Sequence, residues 1–373
     1  MRFNLALAGA ILCGLCVLGA TAQDFNGQQP PFALDSGLPI PRFSGRAGFA
    51  PLPVRVTPEQ LAALKSLYAL PTLIPGPADN PSTPEKIALG QKLFFDPGLS
   101  ANGKVACASC HDVRHGFSDG KSTSTGVKGE RLTRHTPTLI NLAWSSSYFW
   151  DGRAGTLEQQ AVMPIAEATE MGMPHTMLIT HLKDDAAYRS QFERAFPRED
   201  ISAANVGKAL AAFERTLVFV DAPFDRWVAG DESAISTAAK RGFVEFNTRA
   251  GCAQCHAGWN FTDGKFHDIG VPSSDVGRSA IEANDALKHW FKTPGLRNIA
   301  QRAPYMHDGR TGSLGGVLQL YRDFVRRPTL SPEMRNVRTG ASADIIAFLQ
   351  TLTTPAPPEL VRLQEALDQQ PGK

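Results

Sequence analysis

The pentapeptide Cys107-Ala108-Ser109-Cys110-His111 recurs as Cys252-Ala253-Gln254-Cys255-His256, and this pair restricts the chain more than any other feature. At C-x-x-C-H spacing two thiols reach the vinyl groups of one haem and the next imidazole reaches its iron. Zinc is the competing use of a C-x-x-C pair. A zinc reading must explain why histidine follows each pair at once. It must also explain why the other two cysteines of the chain, Cys13 and Cys16, both sit in an N-terminal apolar run. The motifs therefore read as two haem c attachment sites, with His111 and His256 as axial ligands.

That apolar run, Leu5 to Ala20 after Met1-Arg2-Phe3, has the form of a secretory signal cut near Ala22. A membrane anchor is the alternative, but the run is shorter than the roughly 18 residues a spanning helix needs, so no membrane span is expected. Neither cysteine follows a small residue, which argues against lipidation. Export to the periplasm suits haem attachment outside the cytoplasm. A formal net charge of +2, with no basic run interleaved with aromatics, gives no reason to expect nucleic acid.

The remaining length, with 42% hydrophobic residues, suffices for two compact domains. We divide the chain into a signal peptide (1–22), a Pro/Gly-rich arm (23–83), an N-terminal haem domain (84–220), a C-terminal haem domain (221–355) and a tail (356–373). The arm carries one short helix near Pro58 to Tyr68. Thr83-Pro84-Glu85 opens a helix that leads to the first motif. Residues Phe117 to Arg134, rich in Gly, Ser and Thr, read as a loop over a haem edge. Further helices are expected at Leu157–Glu167, Met177–Leu182, Ala186–Ala195, Ala203–Leu217 and Ile235–Asn247, with a link from Val220 to Asp231. Strand signals are weak, so the fold class is mainly α with long ordered loops.

The duplication extends beyond the motifs. Thr136-Pro137-Thr138-Leu139-Ile140-Asn141 is echoed by Thr293-Pro294-Gly295-Leu296-Arg297-Asn298. Trp150-Asp151-Gly152-Arg153-Ala154-Gly155-Thr156-Leu157 is echoed by His307-Asp308-Gly309-Arg310-Thr311-Gly312-Ser313-Leu314. Fourteen positions after Trp150 stands Pro164, and fourteen after His307 stands Tyr321. If the helix bearing them crosses the distal face, one iron meets a phenol and the other a proline that cannot ligate it. A core aromatic is the plainer reading of Tyr321.

Both motifs, with Phe149-Trp150-Asp151-Gly152-Arg153, Leu296-Arg297-Asn298 and Pro304-Tyr305-Met306-His307-Asp308-Gly309, resemble the bacterial dihaem cytochrome c peroxidase and MauG superfamily over about Pro84 to Thr353. The resemblance implies a peroxide-reactive first haem, a six-coordinate second haem, Trp150 between them, and Glu170, Gln160 and Pro164 in the distal pocket of the first. Within the superfamily the chain is similar to the MauG and MbnH branch. Ordinary members have methionine where Tyr321 stands, and a distal histidine where spacing places Val127. The resemblance thus implies a Tyr321 ligand opposite His256 and an open first haem. It also implies calcium at the carbonyls of Arg302 and Pro304. The family's asparagine ligand is replaced here by His135, an imidazole that suits calcium poorly.

Peroxide must lose a proton at one oxygen and gain one at the other; by itself Glu170 reads as a solvated helix-end charge, and the resemblance with its spacing from Trp150 makes it the acid–base group, in an apolar setting that raises a carboxyl pKa. His175 is an outside candidate for the same pocket. An anionic Tyr321 would stabilise oxidised iron, and both oxidising equivalents could then be shared between the haems through Trp150. Met306 competes as a ligand by residue type, but its place in the repeat matches Phe149. His267 takes no ligand role. Arg153, Arg297 and Arg310 are read as propionate partners or as structural salt bridges. The functional expectation is peroxide-driven oxidation of a residue such as tryptophan in a periplasmic partner protein. The alternatives are a cytochrome c peroxidase fed by a small cytochrome or copper protein, and a dihaem electron carrier without catalysis.

Overall fold

Asn141 and Asn298, equivalent in the two repeats, both adopt left-handed backbone geometry (φ 59° and 55°) and are almost wholly buried. Each uses its side chain as a staple. Asn141 accepts from Phe219 N at 2.8 Å and donates to Phe219 O; Asn298 accepts from Thr354 N at 3.1 Å and donates to Thr354 O. Their own amides bond Leu217 O and Leu352 O. The same loop is thus pinned to the end of the same helix twice.

The computed structural model describes residues 56–324, 330–340 and 342–370. The signal peptide 1–22 with Cys13 and Cys16, and the first part of the arm, lie outside the described residues. The helices in chain order are α1 (Pro58–Ser66), α2 (Pro84–Phe94), α3 (Cys107–Cys110), α4 (Leu157–Ala166), α5 (His175–Asp184), α6 (Ala186–Ala195), α7 (Ala203–Glu214), α8 (Pro223–Val228), α9 (Thr237–Asn247), α10 (Ser279–Glu282), α11 (Leu314–Phe324), α12 (Ser342–Gln350) and α13 (Pro358–Asp368). The sheet formed by the described residues is β1 (Phe266–His267) antiparallel to β2 (Phe291–Lys292). The mainly helical expectation is met.

Local chemistry explains most boundaries. The Thr83 hydroxyl accepts from Lys86 N and Pro84 takes the first helical position of α2. Ser236 caps α9, which therefore starts two residues later than Ile235. Helix α7 stops at Glu214 rather than Leu217, because the chain leaves the helix where Leu217 O receives Asn141 N. The expected link around Val220–Asp231 contains α8, opened by Pro223, with the Asp225 carboxylate accepting from Ala222 N.

Two main cores result, built alike. A Cβ added to Gly90 of α2 would lie 2.0 Å from Ala209 O of α7; one added to Gly242 of α9 would lie 1.9 Å from Asp344 O of α12. Only glycine permits these helix crossings. Phe94 meets Phe213 at 5.2 Å between ring centroids, and Phe246 meets Phe348 at 5.2 Å. Each such fully buried ring contributes roughly 1.5–3 kcal/mol.

The ends of the described chain cross over. Tyr68, just after α1, packs in the second core against Phe243 and Phe261. Helix α13, within the segment read as a tail, adds Leu360 and Leu367 to the first core, and Gln364 donates to Ala108 O inside the first C-x-x-C-H motif.

Candidate functional site

The two motifs fold identically in their essentials. His111 N bonds Cys107 O and His256 N bonds Cys252 O, each at 2.9 Å, closing one turn that carries both thiols and the imidazole. His111 Nδ1 donates to Phe117 O and His256 Nδ1 to Phe261 O, again at 2.9 Å, and both phenylalanines hold left-handed φ (59° and 55°). A carbonyl partner fixes the proton on Nδ1 and leaves Nε2 as the ligand atom. Burial lowers both imidazole pKa values, which keeps the rings neutral as ligation requires.

These residues also share an accessibility signature. Cys107, His111, Cys252, His256 and Tyr321 lie deep among protein atoms, yet each keeps some accessible surface, as groups lining internal clefts do. Two thiols and an imidazole presented together on each motif suit the attachment of a haem. Burial pushes the Cys110 thiol up to about 11 and the Cys252 thiol to about 12, so both rest as neutral thiols. Among the described residues the one grouping with metal-ligand geometry is Cys255, Asp263 and His267. Once Cys255 is bonded to haem it reduces to an Asp263–His267 pair at 2.7 Å.

On the first cleft, Thr156 caps α4 and so sets the register of Gln160 and Pro164. Gln160 is buried with its Oε1 unpartnered, an orphan acceptor that a bound group or substrate could satisfy. Glu170 follows on a turn where its carbonyl accepts from Val127 N at 2.9 Å. Burial raises its carboxyl pKa and Arg153 opposes that shift. The Glu170 carboxylate lies near enough to Cys110 to act on its thiol, which puts it beside the first motif. Val127 is buried apolar wall, held also by Asn102 Nδ2 at its carbonyl. His175 contacts the same helix through the backbone, its Nε2 lying 3.3 Å from Val162 O.

On the second cleft, Tyr321 stands on α11 where Pro164 stands on α4. Burial, followed by the nearby Cys255 and Cys252 thiols, raises its phenol pKa, so the hydroxyl lies by the second motif. Its ring packs against Leu330, Met334 and Val337. Met306 holds a left-handed turn position (φ 76°) matching Phe149 (φ 66°).

Trp150 occupies the seam between the copies. Its Nε1 donates to His135 O and its own carbonyl accepts from Lys292 N, both at 2.8 Å. His135 N in turn donates to His307 O. The His135 ring is already bonded to Lys121 O (2.8 Å) and Ser118 Oγ (3.0 Å), so it does not face the Arg302 and Pro304 carbonyls as a free donor.

The three arginines resolve toward salt bridges. Arg297 is bidentate to Asp225 at 2.7 Å, Arg153 pairs with Asp151 at 3.1 Å while lying over Phe149, and Arg310 pairs with Asp308. Two other cations, Lys292 and Arg302, escape a reading of the sequence and have no carboxylate partner among the described residues. Nothing local marks them, because the missing partner becomes visible only after folding.

The family described as di-haem cytochrome c peroxidase matches residues 84–233. The methylamine utilization protein MauG of Methylorubrum extorquens is 47% identical over 313 residues, covering 82% of this chain and 89% of that protein. The cytochrome c551 peroxidase of Pseudomonas aeruginosa is 32% identical, covering 74% of this chain and 81% of that protein. Among solved structures, a MauG-like protein associated with microbial copper homeostasis superposes with a TM-score of 0.70 at 30% identity, over 76% of this chain and 94% of that one. The diheme peroxidase BthA from Burkholderia thailandensis shares the fold, with a TM-score of 0.63 at 22% identity.

Proposed function

The chain belongs to the family of di-haem cytochrome c peroxidases and MauG, carries two haem c groups and is a peroxidase-type oxidoreductase; from that premise we propose a MauG-like division of labour. Cys107, Cys110 and His111 hold the first haem in domain 84–220. Cys252, Cys255, His256 and Tyr321 hold the second in domain 221–355. The haems supply the redox-active iron at which hydrogen peroxide is reduced. The observation that carries the subtype is the equivalence of Pro164 on α4 and Tyr321 on α11 within one duplicated scaffold.

The residues of the chain then have distinct tasks. Glu170 takes the proton from one peroxide oxygen and returns it to the other, a role suited to a carboxyl whose pKa burial has raised. The Gln160 amide, with its free Oε1, orients the peroxide. Trp150 relays electrons between the copies. Its N–H is bonded to a backbone carbonyl, which cannot accept the proton, so the relay proceeds without proton loss. The two electrons that convert peroxide to water come from a residue, such as tryptophan, of a periplasmic protein docked at the surface. A calcium ion would rest on the Arg302 and Pro304 carbonyls and water, without His135.

Replacing Tyr321 with His should keep a six-coordinate second haem but abolish storage of oxidising equivalents in the absence of a reductant, read by rapid-mixing absorbance. A methionine-to-iron charge-transfer band in the oxidised parent protein, lost in Met306→Leu, would overturn the tyrosine assignment. The ordinary peroxidase is the second reading, favoured by relatives named cytochrome c551 peroxidase. Steady peroxide turnover with reduced cytochrome c selects it. A carrier without catalysis does not fit this family of peroxidases.

A further inference from the structure

Lys292 and Arg302 both come from the second copy and reach into the first. Lys292, on β2, bonds Trp150 O through its backbone, and its Nζ donates to Ser145 Oγ (2.9 Å) and Ser147 O (2.5 Å). Arg302 is almost wholly buried; its Nη2 donates to Gly295 O at 2.5 Å, and its Cγ lies 2.8 Å from where a Cβ on Gly116 would stand, one residue before the Phe117 carbonyl that orients His111.

Neither cation has an anion. Both Lys292 acceptors are neutral and leave one of its three ammonium donors unassigned. Arg302 Nε is buried with no partner at all. Burial alone holds the Lys292 pKa down at about 8. An uncompensated buried charge is costly, and proteins avoid it by pairing. Lys292 shows the same combination as the haem-attaching residues, deep in the protein yet retaining accessible surface, so it lines a cleft. Arg153, Arg297 and Arg310 differ in each having a carboxylate, Asp151, Asp225 and Asp308 respectively, although Arg297 Nη2 is itself buried without a partner.

We propose that Lys292 and Arg302 are the counter-charges of haem propionates at the seam, so that the second copy of the repeat clamps the cofactors across the boundary between the copies. Each c-type haem brings two carboxylates into a cleft where the chain has placed cations without acids. This rests on the two haems and is independent of the Tyr321 and Trp150 assignments. Both are positioning residues, acting on the irons through the propionates. A neighbouring cation favours the less positive, reduced iron, so its removal lowers the haem potential.

The test uses the haem-loaded protein. Lys292→Gln and Arg302→Gln should each retain two haems by pyridine haemochrome analysis while shifting at least one midpoint potential downward by spectroelectrochemical titration. Lys292→Arg and Arg302→Lys should restore it, which a purely structural role would not predict. Should Arg302→Gln fail to load haem, Arg302→Lys and the Lys292 pair decide the matter. Unchanged potentials in Lys292→Gln with both haems attached would overturn the proposal. So would a haem-loaded crystal structure in which Lys292 Nζ meets only Ser145 and Ser147.

Discussion

The two copies share a backbone in detail and part company on one helix face. Asn141 and Asn298, Phe149 and Met306, Gly90 and Gly242, and the Phe117 and Phe261 carbonyls do the same work at matching positions. Pro164 and Tyr321 do not. Nor do Gln160 and Val317, which stand at matching positions on α4 and α11. Duplication has therefore kept the attachment scaffold and altered one helix face, the face that the proposed function turns toward the haem. A site that must admit peroxide needs an open face and a proton shuttle; a site that stores charge needs a closed one.

The coarsest break in the comparison is loss of one cofactor. Replacing both cysteines of one motif, Cys107→Ser with Cys110→Ser or Cys252→Ser with Cys255→Ser, should cost the covalent attachment of that haem only, reducing the covalent haem count to one per chain. Zinc in place of iron, or loss of both haems from either change, would show that the copies do not load independently. Next in size, Glu170→Gln should slow the reaction with peroxide about 100-fold to 10,000-fold with both haem spectra nearly unchanged, since this is the usual worth of general acid–base assistance. An unchanged rate in rapid mixing would make Glu170 a bystander. Trp150→Phe should leave the first haem reactive while slowing oxidation of the second. A second haem oxidised as fast as in the parent would place the relay elsewhere.

The smallest effect sharpens the comparison within the cores. Glu214 on α7 matches Leu349 on α12, as the paired crossings at Ala209 and Asp344 show. Burial raises the Glu214 pKa to about 8, Arg215 opposing, and its Oε2 has no partner. A folded-state pKa above the unfolded value of 4.5 means the folded protein holds the extra proton, so stability is fullest below pH 4.5 and falls as pH rises toward 8. Glu214→Leu should flatten that slope and add roughly 1–3 kcal/mol near neutral pH, checked by melting temperature against pH. A steeper slope would reverse the sign of the shift.

Much of the scaffold was legible in one dimension because its signals are local. C-x-x-C-H spacing, the Thr83-Pro84 helix start and the repeated Thr-Pro step each declare themselves within a few residues. Helix α8 was missed because Pro223 and Asp225 sit in a stretch with no long apolar period. The Gly90 and Gly242 crossings, the Asn141 and Asn298 staples, and the unpaired Lys292 and Arg302 depend on partners far away in the chain, and no window of sequence contains both halves. For the same reason the Asp225 partner of Arg297, 72 positions away, is not legible in the sequence around it.

The crossing of the chain ends has a consequence for biosynthesis. Leu360, Gln364 and Leu367 of α13 complete the wall behind the first C-x-x-C-H motif. That wall cannot close while residues 358–368 are still being made, although Cys107 and Cys110 emerge some 250 residues earlier. The first motif therefore stays open on that side until α13 docks. The second core also closes late, with Ile345, Phe348 and Leu349 of α12, but its contribution from the distant N-terminal side, Tyr68, precedes Cys252. Maturation can thus proceed against the order of the sequence, with the earlier motif sealed by the later helix.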